Sequence, residues 1–465
     1  MEKGQTRPPI VVVLGHVDHG KTTLLDAIRK TNVASREAGG ITQSIGASQV
    51  TTKEGKKITF IDTPGHAAFT KMRFRGANLA DIAVLVVGAD DGIKPQTKEA
   101  LQLIRESNVP FVVALTKTDL GSADVDAVKG QLEKEGVAFE ARGGDVPVVA
   151  LSGKTGKGVD DLLETISLVS EVHEIKGSPG GQLEAVVLET SKDRSGLLAS
   201  VVVRNGALRV GETISAEGIS AKVRGLFGEG RKSIKEVFPS EPALILGFET
   251  LPPVGAKITA FREGSLGVLE NKASAINVEE GQIPIMVKAE NAGALEAILA
   301  ALPGGVAVVS SGVGDVYESD VLLAKSSGVE RIFCFESKAS TGVSKLAEAE
   351  GVKVETFRVI YEITQRLEEL IKKEDIEILG KAEIVAEFPF NGKRVAGCKV
   401  TSGQILKTSK LILTRSEKKL GEVKAHSLKK QKQEISVAKA QEEFGILFEP
   451  QLDFKVGDVL VSVAK

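Results

Sequence analysis

The chain has 465 residues, 42% hydrophobic and 26% charged, with a formal net charge of −2 and 2 cysteines. That length sets a prior of about three to four domains, each able to bury a core. Two cysteines, no secretory apolar segment and no membrane-length apolar run argue against a disulfide scaffold and a membrane protein. They lead us to expect a cytoplasmic chain with no membrane partner.

The first apolar run, Ile10–Leu14, is short and β-branched, bounded by Pro9 and Gly15, and reads as a buried strand. Directly after it stands Gly15-His16-Val17-Asp18-His19-Gly20-Lys21-Thr22, a G-x-x-x-x-G-K-T phosphate loop. Leu24, Leu25 and Ile28 follow at helical spacing, so the loop has a strand before it and a helix after it. Its glycines let backbone N–H groups curl round a phosphate, and the helix N-terminus adds its positive dipole end. Lys21 is expected to reach the β- and γ-phosphates, and the Thr22 hydroxyl to ligate Mg²⁺.

Gly39-Gly40-Ile41-Thr42 comes next, then a predicted strand over Lys56–Ile61 that ends in Asp62-Thr63-Pro64-Gly65-His66. Asp62 is placed to hold Mg²⁺ through water, with Thr42 as a further metal ligand. Gly65 offers a backbone N–H with no side chain to obstruct a γ-phosphate. Phe111–Leu115 reads as another buried strand, followed by Thr116-Lys117-Thr118-Asp119. A carboxylate at Asp119 can accept hydrogen bonds from guanine N1–H and the N2 amine, a donor pair adenine lacks. The nucleotide is therefore read as GTP, with the Lys117 stem on the base. Val146–Leu151 is a further apolar run, and after it Ser152-Gly153-Lys154 can offer a backbone N–H to guanine O6.

Residues up to about His173 alternate strand and helix patterns, as a doubly wound α/β domain does. Gly177–Gly181 is a linker signal. From Leu183 to about Arg262 short alternating strands with glycine turns predict a β-barrel. A small three-layer α/β domain follows, with strands at Ile283–Val287, Val306–Val309 and Arg331–Phe335. An uninterrupted helix is predicted over Val359–Glu374, with Ile360, Ile363, Leu367, Leu370 and Ile371 as its apolar stripe. Glu362→Arg366, Glu368→Lys372 and Glu369→Lys373 are its expected i,i+4 pairs. An internal echo points to a second barrel: Val203-x-x-Gly206-x-Leu208 is matched by Val400-x-x-Gly403-x-Ile405, and Val254-Gly255-x-x-Ile258 by Val456-Gly457-x-x-Leu460. From Glu377 onward 16 Lys/Arg face 11 Asp/Glu, a surplus of +5 that leaves −7 for the rest, so this end can contribute phosphate contacts.

The expected fold class is multidomain α/β plus β-barrels: a P-loop domain over 1–176, a barrel over 177–265, an α/β/α domain over 266–358, the helix over 359–376 and a barrel over 377–465.

The strings Gly15–Thr22, Gly39–Thr42 and Asp62–His66 resemble those of translational GTPases. Downstream, Lys288–Ala297, Gly314–Asp320, Val395–Cys398 and Ser427–Lys430 resemble segments of the bacterial translation initiation factor two family, and the resemblance covers nearly the whole chain. It implies a GTP switch that brings formylmethionyl initiator tRNA to the small ribosomal subunit and promotes joining of the large one, with other initiation factors as possible partners. It also implies that His66 positions the attacking water behind an apolar gate of Val17 and Ile41. The last barrel would hold the aminoacyl end of the tRNA, with Phe388, Gly397, Cys398, Glu443 and Phe444 as its pocket and Lys429 and Lys430 on phosphates. The chain departs from the family pattern at Thr116, Gly153, Lys430 and Phe444, where Asn, Ala, Arg and Cys are usual, and, with Val11 already in the first strand, the family's long N-terminal extension is expected to be absent. Two alternatives stay open: another translational GTPase delivering aminoacyl-tRNA, and an RNA-binding scaffold with a weakened nucleotide site, for which Thr116 speaks.

Overall fold

The computed structural model describes residues 5–32, 42–261, 282–374, 378–390, 393–415, 418–431 and 433–463. Gly39, Gly40 and Ile41, and the side chains of Lys372 and Lys373, lie outside the described residues. Two compact units, Met1–Gln365 and Arg366–Lys465, make up the chain.

At the start of the first unit is a six-stranded sheet in the order Gly46–Thr51, Lys57–Asp62, Ile10–Gly15, Ile82–Gly88, Phe111–Thr116, Val148–Ala150. All its pairings are parallel except that of Gly46–Thr51 with Lys57–Asp62. Ile10–Gly15 and Ile82–Gly88 are buried along their whole length, which explains their unbroken apolar character: a parallel strand covered by helices on both faces has no polar side. Gly15, Asp62 and Thr116 are the last residues of their strands. The motifs thus collect at the carboxyl edge of the sheet, where open α/β sheets bind ligands.

The predicted first barrel is an eight-stranded antiparallel sheet running from Glu184–Asp193 to Lys257–Ala260 around a core that includes Val187, Val201, Leu226 and Ile245. The third sheet is parallel in the order Val306–Val313, Ile283–Ala289, Arg331–Phe335, Lys353–Phe357. Its edge strand, Lys353–Phe357, was not foreseen, because Lys-Val-Glu-Thr-Phe carries too little apolar signal. The Ile360–Glu374 helix buries Ile360, Ile363, Leu367 and Leu370, as its period requires. Arg366 pairs with Glu369 at 3.1 Å.

The second unit closes on itself. Ile378–Phe390, Val459–Val463, Lys410–Arg415, Lys418–Lys430, Glu443–Glu449 and Lys393–Leu406 pair in that order, and the last pairs with the first. The internal echo has a physical basis. Gly206 and Gly403 both take positive φ, +72° and +64°, and Gly255 and Gly457 do the same at +89° and +95°. Val203, Leu208, Val400 and Ile405 are all fully buried. Each barrel therefore uses the same turn glycine between the same two core residues.

Candidate nucleotide site

Gly20 takes φ +85° at the start of the Lys21–Arg29 helix, a conformation that favours glycine. A Cβ on Gly15 would meet the Val86 carbonyl oxygen at 2.3 Å, so the loop lies flush against the neighbouring strand. Lys21 folds back into the loop and donates to the carbonyls of Gly15 at 3.0 Å and His16 at 2.6 Å. Burial lowers its ammonium to about 8, against the pull of Asp62 in the other direction. Gly65 comes so close that a Cβ there would meet Lys21 Nζ at 2.5 Å and the Val17 backbone N at 3.1 Å. The absence of a side chain at residue 65 lets the Asp-x-x-Gly loop pack this closely on the phosphate loop.

The Thr22 and Thr42 hydroxyls are 2.8 Å apart. Asp62 is 5% exposed, with Oδ2 3.9 Å from Arg29. Two hydroxyls and a carboxylate are hard oxygen donors, a set that suits Mg²⁺ completed by phosphate oxygens.

At the far end of the site Thr116 is 2% exposed and donates to the His19 carbonyl at 2.5 Å, with the Val87 carbonyl at 3.3 Å. Lys117 is anchored by Asp90 at 3.0 Å. Asp119 Oδ1 accepts from the Ser152 hydroxyl at 2.7 Å, and that bond holds the carboxyl below its ordinary range. A Cβ on Gly153 would stand 3.1 Å from the backbone of Thr23 and Leu24. This explains the tight seat of the Ser152-Gly153-Lys154 turn on the first helix, and makes the glycine there more than a neutral exchange for alanine.

Twelve of the expected residues line one cavity of about 360 Å³: Val17, Asp18, Gly20, Lys21, Thr22, Thr42, Gly65, Thr116, Lys117, Asp119, Gly153 and Lys154. Thr23 and Leu120 complete the wall. The other expected residues support it from behind. His16 lends its carbonyl to Lys21. Thr63 is fully buried and donates to the Val13 carbonyl at 2.8 Å. Pro64 offers its carbonyl to Arg73, and the Thr118 N–H donates to Leu151. His19 is 1% exposed, and burial lowers its imidazole to about 4, so it sits neutral in the wall of the fold.

His66 is the exception. Its ring lies outside the nucleotide cavity and lines a second one of about 550 Å³ with Phe69, Met72, Ala297 and Tyr361. Its Nδ1 accepts from the Ala68 N–H at 3.2 Å, and its centroid is 6.4 Å from that of Tyr361. Burial, then the charge of Arg73, lowers its pKa.

Three supporting residues were missed. Arg73, 1% exposed, donates to the carbonyls of Pro64, Gly65 and His66 at 3.2, 3.2 and 2.5 Å and pairs with Glu99 at 2.7 Å, so it organises the whole Asp-x-x-Gly loop. Gln96 accepts from the Val17 N–H at 2.9 Å. Asp90 holds Lys117; its place just past the Ile82–Gly88 strand, at the same carboxyl edge, was the available signal.

In the second unit, Phe388 is 54% exposed, and a Cβ on Gly397 would touch its ring at 2.9 Å. Gly397 pairs with Gly445, and Gly445 with Lys429, giving a side-chain-poor strip beside the ring. Cys398 and Phe444 face each other across the same two strands but are 1% and 4% exposed, packed in the barrel core. Alternation sets this burial: Ala396, Cys398 and Val400 share the inner face. Glu443 is exposed, and Lys430 pairs with Glu442 at 2.7 Å.

A phosphate loop, an Asp-x-x-Gly loop and a Lys-x-Asp end lining one cavity at the carboxyl edge of a parallel sheet define a GTPase-type nucleotide-binding domain. The chain matches the model for the elongation factor Tu GTP binding domain over residues 6–171, that for elongation factor G domain 2 over 182–261 and that for translation-initiation factor 2 over 258–368. It is 41% identical over 492 residues to translation initiation factor IF-2 of Thermotoga sp. (strain RQ2), covering 98% of this chain and 71% of that relative. With translation initiation factor IF-2 of a Nitratiruptor species the identity is 39% over 495 residues, covering 98% of this chain and 58% of the relative. A crystal structure of GDP-bound aIF5B from Aeropyrum pernix is 27% identical, with a TM-score of 0.48, over 98% of this chain and 92% of that one. The chain belongs to the translation initiation factor IF-2 family, and spans roughly three fifths to seven tenths of the length of these two curated relatives.

Proposed function

We propose that the chain is a GTP-hydrolysing translation initiation switch. In this reading it brings formylmethionyl initiator tRNA to the small ribosomal subunit, promotes joining of the large subunit, and uses GTP hydrolysis as the release step. The observation that carries the switch reading is the 2.8 Å contact between Thr22, on the first helix, and Thr42, on a separate loop, at the Lys21 end of the cavity. A γ-phosphate and Mg²⁺ would hold both loops there, and their loss would release Thr42 and Gly65.

Bound Mg²⁺ would supply charge neutralisation between the β- and γ-phosphates. Lys21 exchanges its carbonyl partners for phosphate oxygens, and the phosphate charge keeps its ammonium protonated. Asp119, held ionised by Ser152, receives the guanine donors. Thr116 holds the phosphate loop from beneath through His19. His66 reaches an attacking water only by leaving its present cavity, a movement we assign to the ribosome.

Family membership and the exposed Phe388 beside the Gly397 and Gly445 strip support tRNA binding by the last barrel, with Lys429 on the terminal phosphates. Lys430 must give up Glu442 to join it.

Calorimetry with GTP, GDP and ATP, together with filter binding of initiator against elongator tRNA, tests this reading. Equal tRNA affinities would favour a factor delivering any aminoacyl-tRNA. Absence of guanine-nucleotide binding would favour the scaffold.

A further inference from the structure

Gln43 is 5% exposed and uses both ends of its amide on one short stretch of backbone. Its Nε2 donates to the Arg358 carbonyl at 2.6 Å, and its Oε1 accepts from the Ile360 N–H at 3.2 Å. Ile360 opens the Ile360–Glu374 helix, and its N–H is one of the groups a helix start leaves without an intrahelical partner. The cap here comes from more than 300 residues away in sequence.

The residue before Gln43 is Thr42, whose hydroxyl meets Thr22 in the nucleotide cavity. One peptide bond separates a group at the metal end of that cavity from a buried two-bond clamp on the helix. The other nucleotide loop rests on the same turn, since the His66 ring lies against Tyr361. A backbone shift of about an ångström at Thr42 would carry Gln43 beyond hydrogen-bond distance of at least one partner.

We propose that the Gln43 side chain latches the first turn of the Ile360–Glu374 helix to the nucleotide loop, so that this turn is held or freed with Thr42. The proposal rests on reading the cavity as a GTP site. Since coupling of binding sites is reciprocal, holding the turn also favours the nucleotide that holds Thr42.

Hydrogen exchange of the backbone over residues 358–365 of the full chain tests it, with a non-hydrolysable GTP analogue or GDP and with calorimetry in parallel. In the wild type these amides should exchange about tenfold more slowly with the analogue than with GDP, as expected for a cap formed in one state and open in the other. Gln43→Met keeps the bulk of the side chain and loses both bonds. It should exchange equally fast with either nucleotide while the Ala292–Ala301 helix stays protected as in the wild type. Should that variant fail to fold, Gln43→Glu, which keeps only the bond from Ile360, must show a difference smaller than the wild type's. A wild-type difference retained in the variant, or no difference in a wild type that binds both nucleotides, would overturn the latch. If the wild type binds neither nucleotide, the GTP reading fails first and the latch with it, a result that calorimetry distinguishes.

Discussion

The Thr116 hydroxyl donates to the His19 carbonyl at 2.5 Å, so the one departure within the guanine motif performs half of the task of an asparagine amide: it braces the phosphate loop. A hydroxyl has one hydrogen to donate and none left for the base. Thr116→Val should leave the His19 carbonyl without this donor and weaken GTP and GDP binding by about tenfold, the effect of losing ~1.4 kcal/mol. Thr116→Asn restores donors for both tasks and should tighten binding. Calorimetry decides, and an unchanged or looser affinity for the asparagine variant would show that the site has compensated elsewhere.

Ser152 donates to Asp119, the residue proposed to receive the guanine donors. That bond is the first cause holding its carboxyl below the ordinary range, so GTP affinity should persist with falling pH until below the usual carboxylate titration. Ser152→Ala should move the loss of affinity to higher pH. Asp119→Asn should weaken GTP binding and admit the xanthine nucleotide, whose 2-oxo group accepts from the new amide. A xanthine preference that does not change would remove Asp119 from base recognition.

Glu189 lies where the first barrel meets the Ala292–Ala301 helix. It is 7% exposed and accepts from the N–H groups of Thr190 at 2.8 Å and Gly293 at 3.0 Å. Burial outweighs those bonds and the charge of Arg75, and raises its carboxyl to about 7 from an ordinary 4.5. The folded chain thus binds this proton more tightly than the unfolded one. The resulting stability is fully present below about pH 4.5 and is lost as pH rises through about 7. At 1.36 kcal/mol per unit the loss has an upper bound of roughly 3 kcal/mol. Glu189→Gln should therefore melt higher than the wild type at pH 8, with the gain fading toward pH 5. A constant difference across that range would contradict the assignment.

His66 does not line the nucleotide cavity, and its lowered pKa leaves a neutral ring whose acceptor nitrogen, Nδ1, is taken by the Ala68 N–H, so accepting from water requires release of that bond. His66→Ala should bind GTP as the wild type does and lose ribosome-stimulated turnover by about 10²- to 10⁴-fold, the range for a positioned proton acceptor. Full stimulated turnover in that variant would remove His66 from catalysis.

The elements with one dominant period were legible. Ile10–Gly15, Lys57–Asp62 and Phe111–Thr116 are buried strands of β-branched residues, and the Ile360–Glu374 stripe has a helix's spacing. So were the expected cavity residues, whose chemistry is local to five short strings. What escaped has its cause in three dimensions. Arg73 gives no local sign that it will collect three loop carbonyls. Gln43 pairs with backbone more than 300 residues away, which no periodicity encodes. The burial of Cys398 and Phe444 was legible: strand alternation already set Cys398 inward with Ala396 and Val400, and register carries Phe444 in opposite it.

That burial separates two groups in the last barrel. Phe388, Gly397 and Lys429 lie on or beside the exposed strip, whereas Cys398 and Phe444 are core. In the full chain, Phe388→Ala should reduce protection of formylmethionyl-tRNA against deacylation while leaving the melting temperature of the barrel within a degree or two, as surface changes do. Gly397→Val would push a side chain into the Phe388 ring and should act in the same direction. Phe444→Ala should instead cost the barrel about 3–5 kcal/mol through the cavity it leaves, and lower protection only in proportion to unfolding. Formylation removes the charge of the amine, so the surface variants should narrow the difference between formylmethionyl-tRNA and methionyl-tRNA. If Phe388→Ala protects both tRNAs as the wild type does while Phe444→Ala abolishes the distinction without loss of stability, the binding surface lies on the other set of residues.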